Sequence, residues 1–163
     1  KRTLIASLIP SETITQDTAP FLTNKLDDVI HEAYLLGVFN SCILDWYARR
    51  FVELHVNFFI LECLTVPNPS ISEKKFQRVV NISGRLAAVD NRFASWAEKV
   101  GVPVGSVKSQ TEKESLLAEL DAVVAHLYGF DTDDLEVIWD TFHTTVDHLP
   151  NLDAVLDHFE RWA

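Results

Sequence analysis

Apolar and polar positions follow two rhythms along the chain, one helical and one that alternates over short runs. Between residues 26 and 51 the apolar side chains Val29, Ile30, Ala33, Leu36, Phe39, Ile43, Trp46 and Tyr47 recur at threes and fours, the spacing of one helical face. That rhythm predicts a single long helix, largely buried, that organises the core. A second set, Phe76, Val79, Val80, Ile82, Leu86, Val89, Phe93 and Trp96, predicts a helix running to about Val100, with Ser72 as its N-cap and Glu73 set favourably against its dipole. Gly101-Val-Pro103 ends it, because glycine takes the left-handed turn at a helix end and proline cannot continue the helix. Residues 101–110 read as a linker. Three more helices are expected: residues 111–128, with Thr111 and Glu114 in capping-box spacing and Gly129 as the stop, residues 132–142 behind Thr132, and residues 151–162.

The alternating runs lie before and between these helices. Lys1-Arg-Thr-Leu-Ile-Ala-Ser-Leu-Ile-Pro10 is a β-capable stretch closed by proline, Ala19-Pro-Phe-Leu-Thr23 reads as a second short strand, and residues 11–18 form a loop between them. Residues 55–69 read as a short turn or single helical turn feeding a third strand, which Pro67 and Pro69 stop. The expected fold is therefore α+β. A small sheet of short strands packs on the long buried helix within residues 1–69, and residues 70–163 form a mainly helical C-terminal half.

Composition narrows the class. The chain has 163 residues, 47% of them hydrophobic, enough to bury one core with a small appendage. Its longest apolar stretch, residues 52–66, is interrupted by Glu53, His55, Asn57 and Glu62, well short of the ~20 apolar residues of a membrane span. A cytoplasmic protein is expected. Lys1 opens the chain and no Met occurs in it, which reads as a piece of something longer. Cys42 and Cys63 stand in apolar surroundings without C-x-x-C spacing, as buried thiols of a reducing compartment do. No histidine pair at i, i+4 has a neighbouring acid or thiol, so no metal cage is proposed.

Net charge is −10, whereas a nucleic-acid binder ordinarily shows a basic footprint. The excess acid is localised: residues 61–110 hold seven basic and four acidic side chains, and residues 111–163 hold two and thirteen. The acidic tail reads either as a solvated helical surface or as a docking surface for a basic partner. No Walker loop, dinucleotide-binding glycine pattern, nucleophile elbow or H-E-x-x-H helix is present, and no catalytic residue is assigned. Asp131-Thr-Asp-Asp134 lacks the glycine and closing glutamate of a calcium loop and reads as helix capping. Asp140, His143, Asp147 and His148 make an acid/base set without an activated nucleophile.

Candidate DNA contacts are the cations and amides of the first half. Arg49 and Arg50 complement the end of the long helix or reach phosphates. Arg2, Lys74, Lys75 and Arg78 have the same two readings, solvated surface or phosphate contact. Asn57 caps the following turn or meets an adenine edge with both ends of its amide, and His55 beside it is a further base-edge candidate.

Three segments also carry a resemblance, in order. They are Arg2-Thr-Leu-Ile-Ala-Ser-Leu-Ile-Pro10, Tyr34-Leu-Leu-Gly-Val-Phe-Asn-Ser-Cys-Ile-Leu-Asp-Trp-Tyr-Ala-Arg49 and Asn57-Phe-Phe-Ile-Leu-Glu-Cys-Leu-Thr-Val-Pro-Asn-Pro69. Together the set resembles the C-terminal target-recognition region of type II restriction enzymes fused to adenine-specific DNA methyltransferases. A Val-Pro-x-Pro element before a long helix is similar to type I specificity subunits, where that helix is a spacer. Leu120-Asp-Ala-Val-Val-Ala-His-Leu-Tyr-Gly129, with Asp133-Asp-Leu135, looks like the helical end of the same fused enzymes. The resemblance implies residues 1–69 as a partial target-recognition domain, residues 70–163 as spacer, and double-stranded DNA as partner through the parent enzyme. It also implies docking on a methyltransferase domain, with S-adenosylmethionine and magnesium belonging to the parent and no cofactor to this piece. The different class kept beside it is a helical protein-protein interaction module with an acidic docking surface.

Overall fold

A computed structural model describes residues 2–10, 12–15, 20–25, 27–52, 56–142 and 151–163. Every regular element among them is helical: α1 (Val29–Asn40), α2 (Cys42–Ala48), α3 (Phe58–Cys63), α4 (Lys74–Ala87), a 3-10 turn (Asn91–Phe93), α5 (Ala94–Val100), α6 (Gln110–Tyr128), α7 (Thr132–Thr141) and α8 (Leu152–Arg161). No strand forms among the described residues, so the α+β expectation, with its small sheet on a long helix, is overturned.

The reason lies in where the backbone hydrogen bonds of the strand-like segments go. Residues 2–10 keep the alternation of a strand, with Leu4 buried and Ile5, Ser7 and Ile9 exposed, but their amides donate to side chains of α1 and α2 instead of a second strand. Pro20 and the residues after it stay irregular; Ala19 lies outside the described residues. Residues 64–69 follow α3 without pairing, because Tyr34 and Tyr128 donate their hydroxyls to the carbonyls of Pro67 (2.9 Å) and Thr65 (2.7 Å). A buried or half-buried backbone needs partners, and helix side chains supply them here.

The long organising helix is two helices. Ser41 leaves the helical region with ψ 148°, accepts the Leu44 amide at 3.2 Å and donates its hydroxyl to the Val38 carbonyl at 2.7 Å, so it ends α1 and begins α2. Serine offers the backbone this local alternative to a continuing ladder. The helix expected to reach Val100 also breaks, after Ala87. Asp90 caps the 3-10 turn through the Arg92 amide at 2.9 Å, Val89 is left exposed, and Phe93 joins Ala88, Ala97 and Val102 in a small second cluster.

Caps shift by a residue or two. Ser72 bonds Ser70 and leaves α4 without a side-chain cap. Ser109 caps α6 through Glu112 in place of the Thr111/Glu114 pair, and Asp131 with Asp134 closes a capping box one residue before Thr132. Gly101 and Gly129 stop their helices in the left-handed conformation, as expected, at φ 82° and 75°.

The core is a stack of α1, α4, α6 and α8, with α4 between α1 and α6. Val38, Phe76, Val79, Ile82, Leu120, Val123 and Val155 are almost fully buried in it, each contributing roughly 1.5–3 kcal/mol of transfer free energy. Gly37 sets the closeness of α1 and α4: a Cβ there would sit 2.6 Å from Val79 Cγ1. One hydrophobic cluster runs from Leu4 to Phe159 across both halves of the chain.

Candidate functional site

Four of the eight proposed DNA contacts are tied up within the fold. Arg2 turns inward, and its guanidinium donates to the carbonyls of Asn40 (2.7 Å) and Ser41 (3.1 Å), satisfying the orphan acceptors where α1 ends. Arg49 reaches back one turn to the Asp45 carboxylate at 3.4 Å and lies 4.1 Å from the Phe142 ring centre. Arg78 forms a two-pronged bond with Glu119 at 2.8 and 2.5 Å and also bonds Asn81 at 3.0 Å. Glu119 in turn accepts the Trp162 indole at 3.1 Å, so α4, α6 and the end of α8 meet at this pair. Asn57 takes the capping reading, accepting the Ile60 amide at 2.9 Å. His55, like His143, Asp147 and His148, lies outside the described residues.

Three cations remain. Arg50 is exposed, 4.5 Å over the Trp46 ring. Lys74 and Lys75 open α4, and neither bonds a described residue. The amides of this helix start have no side-chain cap, an arrangement that suits an anion, although Glu73 sits beside it. No structural feature draws Arg50 and the two lysines into one face.

Two features carry more physical information than these cations, and the sequence reading missed both. The first is a buried polar cluster under residues 2–10. Asp45 on α2 is 0% exposed and accepts the amides of Thr3 and Leu4 at 2.7 and 2.5 Å. Asp121 on α6 is 2% exposed and accepts the Cys42 amide at 2.6 Å, at the first residue of α2. Burial pushes the Asp121 carboxyl up to about 6, opposed by the Cys42 hydrogen bond and the Arg2 charge. Burial also drives the Cys42 thiol well above its ordinary value, with Asp121 adding to the effect. Cys63, by contrast, is exposed, against the expectation of two buried thiols. The signal was in the chain: acids inside the apolar runs Cys42-Ile-Leu-Asp45 and Leu120-Asp-Ala-Val-Val124 must be partnered if buried.

The second feature is apolar. A cleft of about 1300 Å³ lies between α1 and the described residues of the N-terminal segments 3–10, 12–15 and 20–25, lined by Ile5, Ile9, Phe21, Leu22, Leu36 and Phe39 among others. Beside it, α3 buries none of its residues, and Phe59 is 75% exposed. Among the described residues, the exposed large hydrophobics concentrate between Ile5 and Phe59. Patches of that kind mark a surface that something else covers.

Chemically, the cluster is built for holding backbone. Asp45 and Asp121 face N–H donors and Arg2, which does not fit a magnesium ion. Among the described residues no group of three or more His, Cys, Asp or Glu is placed to hold a metal, and no helix is long and apolar enough to cross a membrane. Asp131 and Asp134 serve their helix cap. Compared with known protein families, curated proteins and solved structures, the chain matches none.

Proposed function

We propose that the chain is the docking and spacer piece of a DNA target-recognition module in a restriction-modification enzyme. The ordered resemblance of its three N-terminal segments to the methyltransferase-fused restriction enzymes supports the reading. The observation that carries the docking part is the run of exposed apolar side chains between Ile5 and Phe59, several of which line the cleft, with α3 beside it burying none of its residues fully. In this reading the surface seats against the methyltransferase domain, and the α4–α8 body acts as spacer. S-adenosylmethionine and magnesium belong to other domains of such an enzyme.

Direct DNA contact by this piece is then limited to phosphates. Arg50 and Lys74 are exposed and Lys75 is half-buried, while Arg2, Arg49 and Arg78 already serve internal partners. Phosphate contacts set register and orientation without reading sequence. The acidic alternative has less support, since Asp131 and Asp134 close a cap and Glu112 and Glu119 pair with Arg85 and Arg78.

The test uses the full-length enzyme and the same enzyme without residues 1–163, selecting sites from random duplex DNA over a salt series. Loss of sequence enrichment on removal is expected. Enrichment that survives removal unchanged would sink the assignment. Replacing Lys74 and Lys75 by alanine should weaken binding uniformly across sequences and flatten the slope of log affinity against log salt by about two.

A further inference from the structure

Residues 2–10 are attached to the molecule through side chains rather than through a backbone ladder. They make no backbone-to-backbone hydrogen bond with any other described segment. Thr3 and Leu4 hang on the Asp45 carboxylate, Ala6 exchanges bonds with the Asn40 amide at 3.2 and 2.8 Å, and Arg2 grips the carbonyls of Asn40 and Ser41. Hydrophobic anchorage is confined to two side chains, Leu4 in the main core and half-buried Leu8 against the Phe93 cluster, whereas Ile5 is 72% exposed and Ile9 is 42% exposed. The helical stack on the far side is closed by its own apolar contacts and does not draw on the segment's outward face.

What lies beneath is unlike an ordinary core. Asp45, Cys42 and Asp121 are all at most 2% exposed, and Arg2 is the cation whose field reaches both Cys42 and Asp121. Its Nε is itself buried without a partner. Lifting the segment therefore removes two donors from Asp45 and the cation from the cluster together, while the α1–α4–α6–α8 packing keeps its apolar contacts. Each bond lost is exchanged for one to water, so opening of this sort lies far below global unfolding in free energy.

We propose that residues 2–10 form a strap that opens and closes over the Asp45–Cys42–Asp121 cluster without unfolding the helical body, so that access to the cluster is gated by Arg2, Asp45 and Asn40. The inference holds whether or not the chain serves DNA recognition.

The experiment follows amide exchange of Thr3, Leu4 and Ala6, and maleimide labelling of Cys42 in a Cys63→Ser background, across sub-denaturing urea. Exchange and labelling should be nearly independent of urea, whereas the Val79 and Val123 amides should exchange only through a strongly urea-dependent opening. Asn40→Ala removes both bonds to Ala6 and should raise both strap exchange and Cys42 labelling roughly tenfold, with the urea midpoint of the α4 and α6 amides unchanged. Strap amides that share the steep urea dependence of Val79 would overturn the proposal. So would faster strap exchange in Asn40→Ala with Cys42 labelling no faster than before, because the segment would then move without gating the cluster.

Discussion

Residues 2–63 and the helices from α4 onward hold their shape by different means. From α4 onward, every helix turns buried side chains inward, such as Phe76, Leu120, Leu135 and Val155, and most of these helices have capped or glycine-stopped ends. Arg78 and Arg85 tie neighbouring elements through Glu119 and Glu112. Before α4, only α1 and α2 are built in this way. The strap is pinned by three polar side chains with Leu4 as its buried apolar residue, no residue of α3 is fully buried, and Ile5, Ile9, Phe58 and Phe59 are exposed. The lesson concerns what each region can do alone. One is stabilised by burial that needs no partner, and the other by polar attachment of a surface whose apolar area remains in water.

Breaking the helical body should have the largest effect. Phe76 is 1% exposed, stacks on Tyr34 at 4.5 Å and so also supports the tyrosine that holds Pro67. Phe76→Ala is expected to lower stability by about 3–5 kcal/mol, read as a shift in the urea midpoint with an unchanged slope. A much smaller loss would mean that the α1–α4 contact is looser than its burial indicates.

The joint between the two regions is tested next, through pH. Asp121 has a folded value of about 6 against an ordinary value of 3.8, so its proton is bound more tightly in the folded state. The stability that this proton contributes is complete below about pH 4 and is lost as pH rises through 6; the whole effect is about 3 kcal/mol. In Asp121→Asn the amide oxygen still accepts the Cys42 amide and the charge is gone. The variant should match the wild type near pH 4 and exceed it by up to about 3 kcal/mol at pH 7, measured by urea unfolding at both pH values. A variant less stable than wild type at pH 7 would show that the ionised carboxylate, facing Arg2, stabilises the joint, and the strap would then belong to the body.

How much of this was readable beforehand follows the same division. Helices α6, α7 and α8 and the start of α4 were legible because their apolar positions repeat on one face, and Gly101 and Gly129 stop α5 and α6 as their backbone freedom allows, while the break after Ala87 was not read. The break at Ser41 was not read, although Asn40-Ser41 interrupts an apolar run with two residues that prefer caps. The sheet was expected because residues 2–10 alternate like a strand, and alternation reports burial on one side without saying what lies there. Asp45 and Asn40, far along the chain, took the place of a second strand. Charged candidates were hardest: nothing local distinguishes Arg78, bound to Glu119 41 residues away, from Lys74, which binds no described residue. Only tertiary pairing separates a structural cation from a free one.

That pairing gives a smaller, sharper test within the body. Arg78 joins Glu119 by two bonds and Trp162 meets the same carboxylate. Arg78→Ala should cost about 1–2 kcal/mol, because partial exposure screens the pair and leaves Glu119 the indole as a donor. The loss should shrink little in high salt, since the two-pronged geometry carries most of it.

The smallest expected effect decides what the outward apolar face is for. Ile5→Ser and Phe59→Ser together alter side chains that are 72% and 75% exposed, so the chain alone should change by less than about 0.5 kcal/mol. If the proposed docking on a methyltransferase domain holds, the same double variant in the full-length protein should loosen that contact, read as new protease cleavage between this piece and that domain. The two readouts separate the possibilities. A large stability loss in the isolated chain would mean that residues 2–63 cover this surface themselves, and the contrast between the regions would collapse. Unchanged stability with an unchanged cleavage pattern would keep the contrast and remove the docking role, because a face that neither the chain nor its enzyme covers has no partner there.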